Sequence, residues 1–307
     1  MQQTLKLLNT LHNNFLSNLI IILLYKFKVL KKGVYALFSY KHKGQKDSES
    51  KIRRNAMDLL QSKTLAIKTE ELYPRNQVDF ALDTLFYTSK YISPQKKEAT
   101  IVVDDTLIRK DIDEKKGVII VTHHFFSMSG AAYHLSSLLK KVNTVAGYDP
   151  VLIPFWDIFK WLGYEFIMYN TGKHQKKFIS QVTKALNNGE AILFVTDWFF
   201  SNYFPVLPFF NKSVHVPTGP AFFSQRCQVP IYFMKYHKFY QTHGRDKVNI
   251  TFEKLPLLQS DDRIKQRAYI KETTKSLHLK VQEHICDYPD QWIYWGNTDN
   301  EQYFKKY

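Results

Sequence analysis

The sequence has few cysteines, with only Cys227 and Cys286 among its 307 residues. Two cysteines so far apart form no metal-binding or redox motif, and their scarcity favours a reducing, cytoplasmic setting. His123, His124 and His134 also lack the spacing that metal ligands need, so we expect no bound metal. The composition therefore directs attention to chemistry that side chains perform unaided.

Acidic residues are scarce, and residues 1–46 contain neither Asp nor Glu. The whole chain has 43 Lys and Arg against 28 Asp and Glu, which gives a formal net charge of +15. A charge of this size indicates an anionic partner. Because no signature of a nucleic-acid-binding module is present, we expect an anionic membrane or a phosphorylated substrate rather than nucleic acid.

No apolar run reaches the roughly 20 residues that span a bilayer comfortably. The densest run, Phe15 to Tyr25, is interrupted by Ser17 and Asn18, and no small-residue cleavage site follows it. An apolar stripe at helical spacing comes before a series of lysines, and it comprises Leu8, Leu11, Phe15, Leu19 and Ile22. Residues 1–50 are therefore predicted to form a basic, membrane-associating leader with an amphipathic helix. The alternatives are a helix packed on the domain with solvated lysines, or one that dips deeper into the membrane.

Residues 51–307 alternate between helical and strand patterns, which predicts one α/β domain with a mostly parallel central sheet flanked by helices. Apolar runs predict four strands, at residues 118–121, 191–196, 229–236 and 248–252. Amphipathic spacing and stop signals predict five helices, at residues 51–61, 127–141, 154–162, 176–188 and 264–286.

Three segments combine chemically useful residues with the end of an element. His123 and His124 follow the first predicted strand, and Asp197 follows the second, so both lie where ligands bind in open α/β sheets. A histidine there suits a general base. Thr218, between Pro217 and Gly219, is placed to cap a helix whose N-terminus can hold an oxyanion. Each feature also has a purely structural interpretation, as a structural histidine, a turn aspartate or an ordinary capped helix.

The three segments occur in the order seen in the lipid A biosynthesis acyltransferases of the lysophospholipid acyltransferase superfamily. The stretch from Tyr288 to Trp295, with sequence YPDQWIYW, resembles the closing Pro-Glu-Gln-aromatic-x-x-Trp signature of that family. The resemblance extends from about residue 115 to Trp295. It implies transfer of an acyl group from a carrier-protein or coenzyme A thioester to a hydroxyl of lipid A or a phospholipid, without a cofactor, at the cytoplasmic face of the bacterial inner membrane.

In the family motif a histidine is followed, after four residues, by an acid that orients it. His124 matches the histidine, whereas Ser129 occupies the position of the acid. A serine can orient an imidazole but cannot offset its charge, so either another acid substitutes, the chemistry is less demanding, or the protein is inactive. Asp197 is the best placed, and weaker candidates are Asp104, Asp105 and Glu190. His123 is the alternative base, although the residues that follow align better with His124.

The resemblance also implies contacts with substrate phosphates, for which the candidates are Lys173, Lys176, Lys177 and Arg226; the alternative is that these cations form a solvated helix face. Thr218 is a further candidate for substrate binding, at the start of its helix. A divergent branch of the superfamily transfers glycine instead of a fatty acyl chain, which protects bacteria against antimicrobial peptides. The sequence does not separate this glycyltransferase activity from fatty acyl transfer. Two alternatives stay open: a hydrolase using Ser127 or Ser129, although Gly-x-Ser-x-Gly is absent, and a non-catalytic lipid-binding protein.

Overall fold

The structure is a computed structural model that describes residues 50–114, 116–139, 141–147, 156, 159–169, 175–197, 205–241 and 246–296. Residues 1–49 of the predicted leader, Lys173, and residues 154, 155, 157 and 158 of the helix predicted at 154–162 lie outside these residues. Among the described helices, none is long and apolar enough to cross a membrane.

Seven strands form one sheet in the order β1-β9-β8-β2-β5-β3-β4. Their bounds are β1 Ile101–Asp104, β2 Val118–Thr122, β3 Val142–Gly147, β4 Glu165–Tyr169, β5 Ala191–Val195, β8 Ile231–Phe239 and β9 Lys247–Lys254. All neighbouring pairs are parallel except β8 and β9. A separate antiparallel hairpin consists of β6 Val206–Phe209 and β7 Lys212–His215.

Eight α-helices are described around the sheet. They are α1 Lys51–Leu60, α2 Lys63–Thr88, α3 Pro94–Glu98, α4 Thr106–Asp113, α5 Met128–Leu138, α6 Gln175–Asn187, α7 Gly219–Cys227 and α8 Arg263–Asp287. Helix α6 packs on β4 and β5, α7 on β2 and β8, and α8 on α7 and β8. The prediction of an α/β fold with a mostly parallel sheet flanked by helices is therefore confirmed.

The core lies along the central strands β2 and β5. Every residue of β2 is buried, and so are the first four residues of β5, as the continuous apolar runs in both segments predict. Such runs favour strands covered on both faces, because burial of each apolar side chain contributes about 1.5–3 kcal/mol. These two buried strands provide the rigid support for the candidate site at their carboxyl ends.

The 26-residue helix α2 was not predicted from the sequence. Pro74 lies inside it, and polar residues interrupt its apolar pattern. Several of these polar residues are buried against specific partners: Asp83 Oδ2 lies 2.7 Å from Lys238 Nζ, and Thr84 Oγ1 lies 2.7 Å from Ser129 Oγ. Because the partners come from distant parts of the chain, the periodicity of the segment gave no sign of its burial.

Candidate active site

His124 and Asp197 are brought together by the register of two parallel strands. Thr122 at the end of β2 pairs with Val195 at the end of β5. The ladder continues one step further, since the Thr196 N–H donates to the Thr122 carbonyl at 2.9 Å. His124 and Asp197 each follow the paired residues by two positions, so the strand register places them side by side at the carboxyl edge of the sheet.

The two side chains form a short hydrogen-bonded pair, with 2.6 Å between His124 Nδ1 and Asp197 Oδ1. The backbone N–H of His124 also donates to Asp197 Oδ2 at 2.8 Å. The Asp197 side chain is fully buried, whereas 22% of the His124 side chain is exposed. This arrangement matches the oriented histidine of a general-base pair, in which the carboxylate is sequestered and the ring reaches the ligand.

The pKa of Asp197 lies below its ordinary value. Burial alone would raise it, but the charge of His124 and the hydrogen bonds from His124 outweigh that effect. Asp197 is therefore an anion at neutral pH, and its Oδ1 accepts a hydrogen bond from the Nδ1–H of His124. This tautomer leaves the lone pair on Nε2, which is the nitrogen a general base needs.

The residues from Tyr288 to Trp295, which we call the closing segment, pack against the His124–Asp197 pair. The Trp292 indole N–H donates to Asp197 Oδ2 at 2.8 Å, and the Ile293 N–H donates to the His124 carbonyl at 3.2 Å. The Tyr294 ring meets the His124 ring edge-on, with centroids 5.1 Å apart. The segment that completes the sequence signature is thus in direct contact with both His124 and Asp197.

A cavity of about 430 Å³ opens beside His124. Its walls come mainly from the ends of β3, β4 and β5 and from α6 and α7. They are dominated by aromatic and aliphatic side chains, namely Val145, Ala146, Trp156, Phe159, Phe166, Tyr169, Phe178, Ile179, Phe194, Val195, Phe222, Phe223 and Tyr294. None of the described residues that line the cavity is acidic. An apolar cavity with a few polar groups at one end is typical of a binding site for a largely hydrocarbon ligand.

The start of helix α7 faces this cavity through Thr218 and Gly219. Pro220 has no N–H, and the Phe222 N–H donates to the Thr218 carbonyl at 2.9 Å. The N–H groups of Gly219 and Ala221 have no partner within the helix, so they are the ones that could serve an oxyanion. Gly219 is needed for close packing, because a Cβ there would lie 3.2 Å from the Phe194 ring. The predicted capping bond from Thr218 is wrong: its backbone is helical, with φ −89° and ψ −3°, and its side chain makes no capping bond.

Ser129 is not brought to the His124 ring. Its hydroxyl is buried within the first turn of α5 and forms a 2.7 Å hydrogen bond with Thr84 of α2. Its contacts are those of a core residue that joins two helices. The alternative nucleophile, Ser127, is also buried, with 1% of its surface exposed.

The weaker acidic candidates lie elsewhere. Glu190 precedes β5, at the opposite end of that strand from Asp197, and accepts a 2.7 Å hydrogen bond from Asn143. Strand β1 runs antiparallel to β2, since it is parallel to β9 and β9 is antiparallel to β8. Asp104 and Asp105, at the end of β1, are therefore at the other edge of the sheet. Of the candidate acids, only Asp197 contacts His124.

His123, the alternative base, points into the protein interior. It is fully buried, stacks on Tyr236, and lies with its Nε2 3.0 Å from His284 Nδ1. Burial lowers its pKa to about 4, so it is neutral at neutral pH. Because His123 is enclosed and His124 borders the cavity, the geometry favours the choice of His124.

The predicted phosphate-contact cations are spread over one side of the domain. Lys176, Lys177 and Arg226 are exposed on α6 and α7. Lys176 and Arg226 line a shared groove with Lys184, a residue that the sequence reasoning missed. Ile179 borders both the groove and the apolar cavity. The groove therefore adjoins the site, and among the described residues no carboxylate pairs with its three cations.

In the part of the chain that the structure describes, no cluster of three or more His, Cys, Asp or Glu residues has the arrangement of a metal site. Comparison of the sequence with protein-family models and with curated proteins finds no match in either case.

Proposed function

We propose that the protein is an acyltransferase that uses the His124–Asp197 pair to move an acyl group from a thioester to a hydroxyl of lipid A or a related lipid. The observation that carries this proposal is the 2.6 Å contact between His124 and a buried carboxylate at the mouth of an apolar cavity. The carboxylate that the sequence motif lacks at Ser129 is supplied instead by Asp197, from a neighbouring strand.

In the proposed reaction, Nε2 of His124 takes the proton from the acceptor hydroxyl as its oxygen attacks the thioester carbonyl carbon. The negative charge of Asp197 stabilises the imidazolium that forms. The N–H groups at the start of α7 stabilise the oxyanion of the tetrahedral intermediate. The carbon–sulfur bond then breaks, and the imidazolium returns its proton to the departing thiolate, so no acyl-enzyme and no cofactor are needed.

The character of the cavity favours a fatty acyl donor over a glycyl donor. A hydrocarbon chain gains about 0.8 kcal/mol for each CH₂ group that it buries among the aromatic walls. The ammonium group of a glycyl donor would find no acidic partner among the described lining residues, and burying it unpaired would be costly. A carrier protein or coenzyme A would present the thioester. The cytoplasmic face of an anionic inner membrane would present the lipid, which the net charge of +15 would attract.

Mass spectrometry of lipid A incubated with the purified full chain tests this proposal. We expect a mass increase of one fatty acyl group with a long-chain acyl thioester, no product with a glycyl thioester, and no product with the His124→Gln variant. Thiol release in the absence of lipid A would identify a hydrolase. Binding of the acyl thioester without turnover by the wild-type protein would identify a non-catalytic lipid-binding protein. A glycine-sized mass increase would contradict the fatty acyl assignment.

A further inference from the structure

The closing segment is anchored to the rest of the fold along its whole length. The Asn76 side chain donates to the Asp290 carbonyl at 2.6 Å, and the Tyr73 hydroxyl donates to the Ile293 carbonyl at 2.7 Å. The Asn55 side chain donates to the Trp295 carbonyl at 2.6 Å. Helices α1 and α2 therefore fix this segment from outside, and its inner side faces the His124–Asp197 pair.

The Trp292 indole links this segment directly to the Asp197 carboxylate by a hydrogen bond. Oδ1 of Asp197 accepts from the His124 ring, while Oδ2 accepts from the His124 backbone and the Trp292 indole. Both Trp292 and Asp197 have no exposed surface, so water cannot replace a missing donor. Removal of the indole would cost the carboxylate one charge-assisted hydrogen bond, while the hydrogen bond from the His124 backbone to Oδ2 remains.

We propose that Trp292 is a positioning residue for the acyl transfer reaction, because its indole N–H holds the Asp197 carboxylate in the orientation that pairs with His124. This inference rests on the proposed function. Trp292 does not line the cavity, so it acts through Asp197 and does not contact the substrate. Loss of the indole N–H leaves Oδ2 with the backbone N–H of His124, so the carboxylate is held less firmly and the contact between Oδ1 and the imidazole lengthens.

Trp295 provides a matched control in the same segment. It is as buried as Trp292, and the two rings pack together with centroids 4.8 Å apart. The Trp295 indole, however, donates to the Pro289 carbonyl at 2.5 Å and not to the catalytic pair. Replacing either tryptophan by phenylalanine removes one indole N–H and a similar volume, but of the two only Trp292→Phe removes a hydrogen-bond donor to Asp197.

The kinetic test compares the two variants. Trp292→Phe is expected to lower kcat at least about tenfold with KM nearly unchanged, while Trp295→Phe stays within about twofold of the wild-type kcat. In an Asp197→Asn background, Trp292→Phe is expected to have no further effect on kcat, because it acts through the carboxylate. An equal fractional loss in both backgrounds, or an equal loss from both tryptophan replacements, would overturn the proposal.

A spectroscopic test does not depend on activity. The short hydrogen bond between His124 Nδ1 and Asp197 should give a proton resonance far downfield of the amide protons, absent from His124→Gln. This resonance should shift upfield or vanish when Trp292 is replaced by its benzothienyl analogue, which keeps the indole shape and loses only the N–H. The same analogue at residue 295 should leave it unchanged. An unshifted resonance in the analogue at 292 refutes the positioning role, whereas an inactive wild-type protein with the expected resonances refutes only the acyltransferase proposal.

Discussion

The buried pair of His123 and His284 predicts a specific loss of stability in acid. His123 is fully buried, with Nε2 3.0 Å from His284 Nδ1, and burial lowers its pKa from 6.5 to about 4. Burial also lowers the pKa of His284 well below its ordinary value. Between pH 6.5 and 4 the unfolded chain binds a proton at His123 that the folded chain excludes. The contribution of neutral His123 to the free energy of unfolding is therefore present above pH 6.5 and is lost as the pH falls toward 4.

The size of this effect follows from the shift for His123. Between pH 7.5 and pH 5 the lowered pKa of His123 decreases the free energy of unfolding by about 2 kcal/mol. The variant His123→Gln keeps a neutral hydrogen-bonding group beside His284 but does not titrate. Its free energy of unfolding should be below that of the wild type at pH 7.5 and should fall by about 2 kcal/mol less on acidification.

Urea denaturation of both proteins at a series of pH values between 5 and 7.5 measures this difference. Titrating groups distant from His123 behave alike in both proteins, so they cancel when the two curves are subtracted. His284 contacts His123, and its pKa is lowered by burial and by His123, so its change contributes to the difference. A difference between the two unfolding free energies that stays constant from pH 7.5 to pH 5 would refute the reasoning. It would mean that His123 titrates alike in the folded and unfolded chain.

Further predictions concern the cavity and the neighbouring groove. Ala146→Leu adds volume to the apolar wall of the cavity, so the variant should prefer a donor with a shorter acyl chain than the wild type does. Values of kcat/KM across a series of saturated acyl thioesters measure this preference. An unchanged preference would mean that the acyl chain binds elsewhere. The double variant Lys184→Gln/Arg226→Gln should raise KM for an anionic donor or acceptor in a salt-dependent way. The control Lys271→Gln/Lys275→Gln changes the charge equally on exposed positions of α8, and equal effects from the two double variants would reject the groove as a substrate contact.

The main features of the fold could be predicted from the sequence where burial leaves a simple pattern. The buried strands β2 and β5 follow continuous apolar runs, and α6 and α8 end within two residues of the predicted limits. Strand β3 was missed because its polar residues, such as Asn143 and Thr144, are buried and bonded to the adjoining strand. Such pairing cannot be inferred from a single segment.

The site was predictable to the extent that it depends on strand ends. Histidine and aspartate that each follow a buried parallel strand are expected to share an edge, and the structure places His124 and Asp197 in contact. The indole donor from Trp292 was not predictable, since nothing in the closing segment indicates which carboxylate it meets. Ser129 was proposed from its position in the motif, but the turn of α5 carries its hydroxyl to Thr84.

The central claim is that Asp197 supplies the carboxylate that makes His124 an effective base. Its most direct test is the rate of acyl transfer to lipid A by Asp197→Asn, with Ser129→Ala as the control for the motif position. The account predicts that Asp197→Asn lowers kcat by about 10³- to 10⁴-fold, as loss of the equivalent carboxylate does in a serine protease triad, while Ser129→Ala retains most of the activity. A folded Asp197→Asn protein with kcat within tenfold of the wild type would contradict the account.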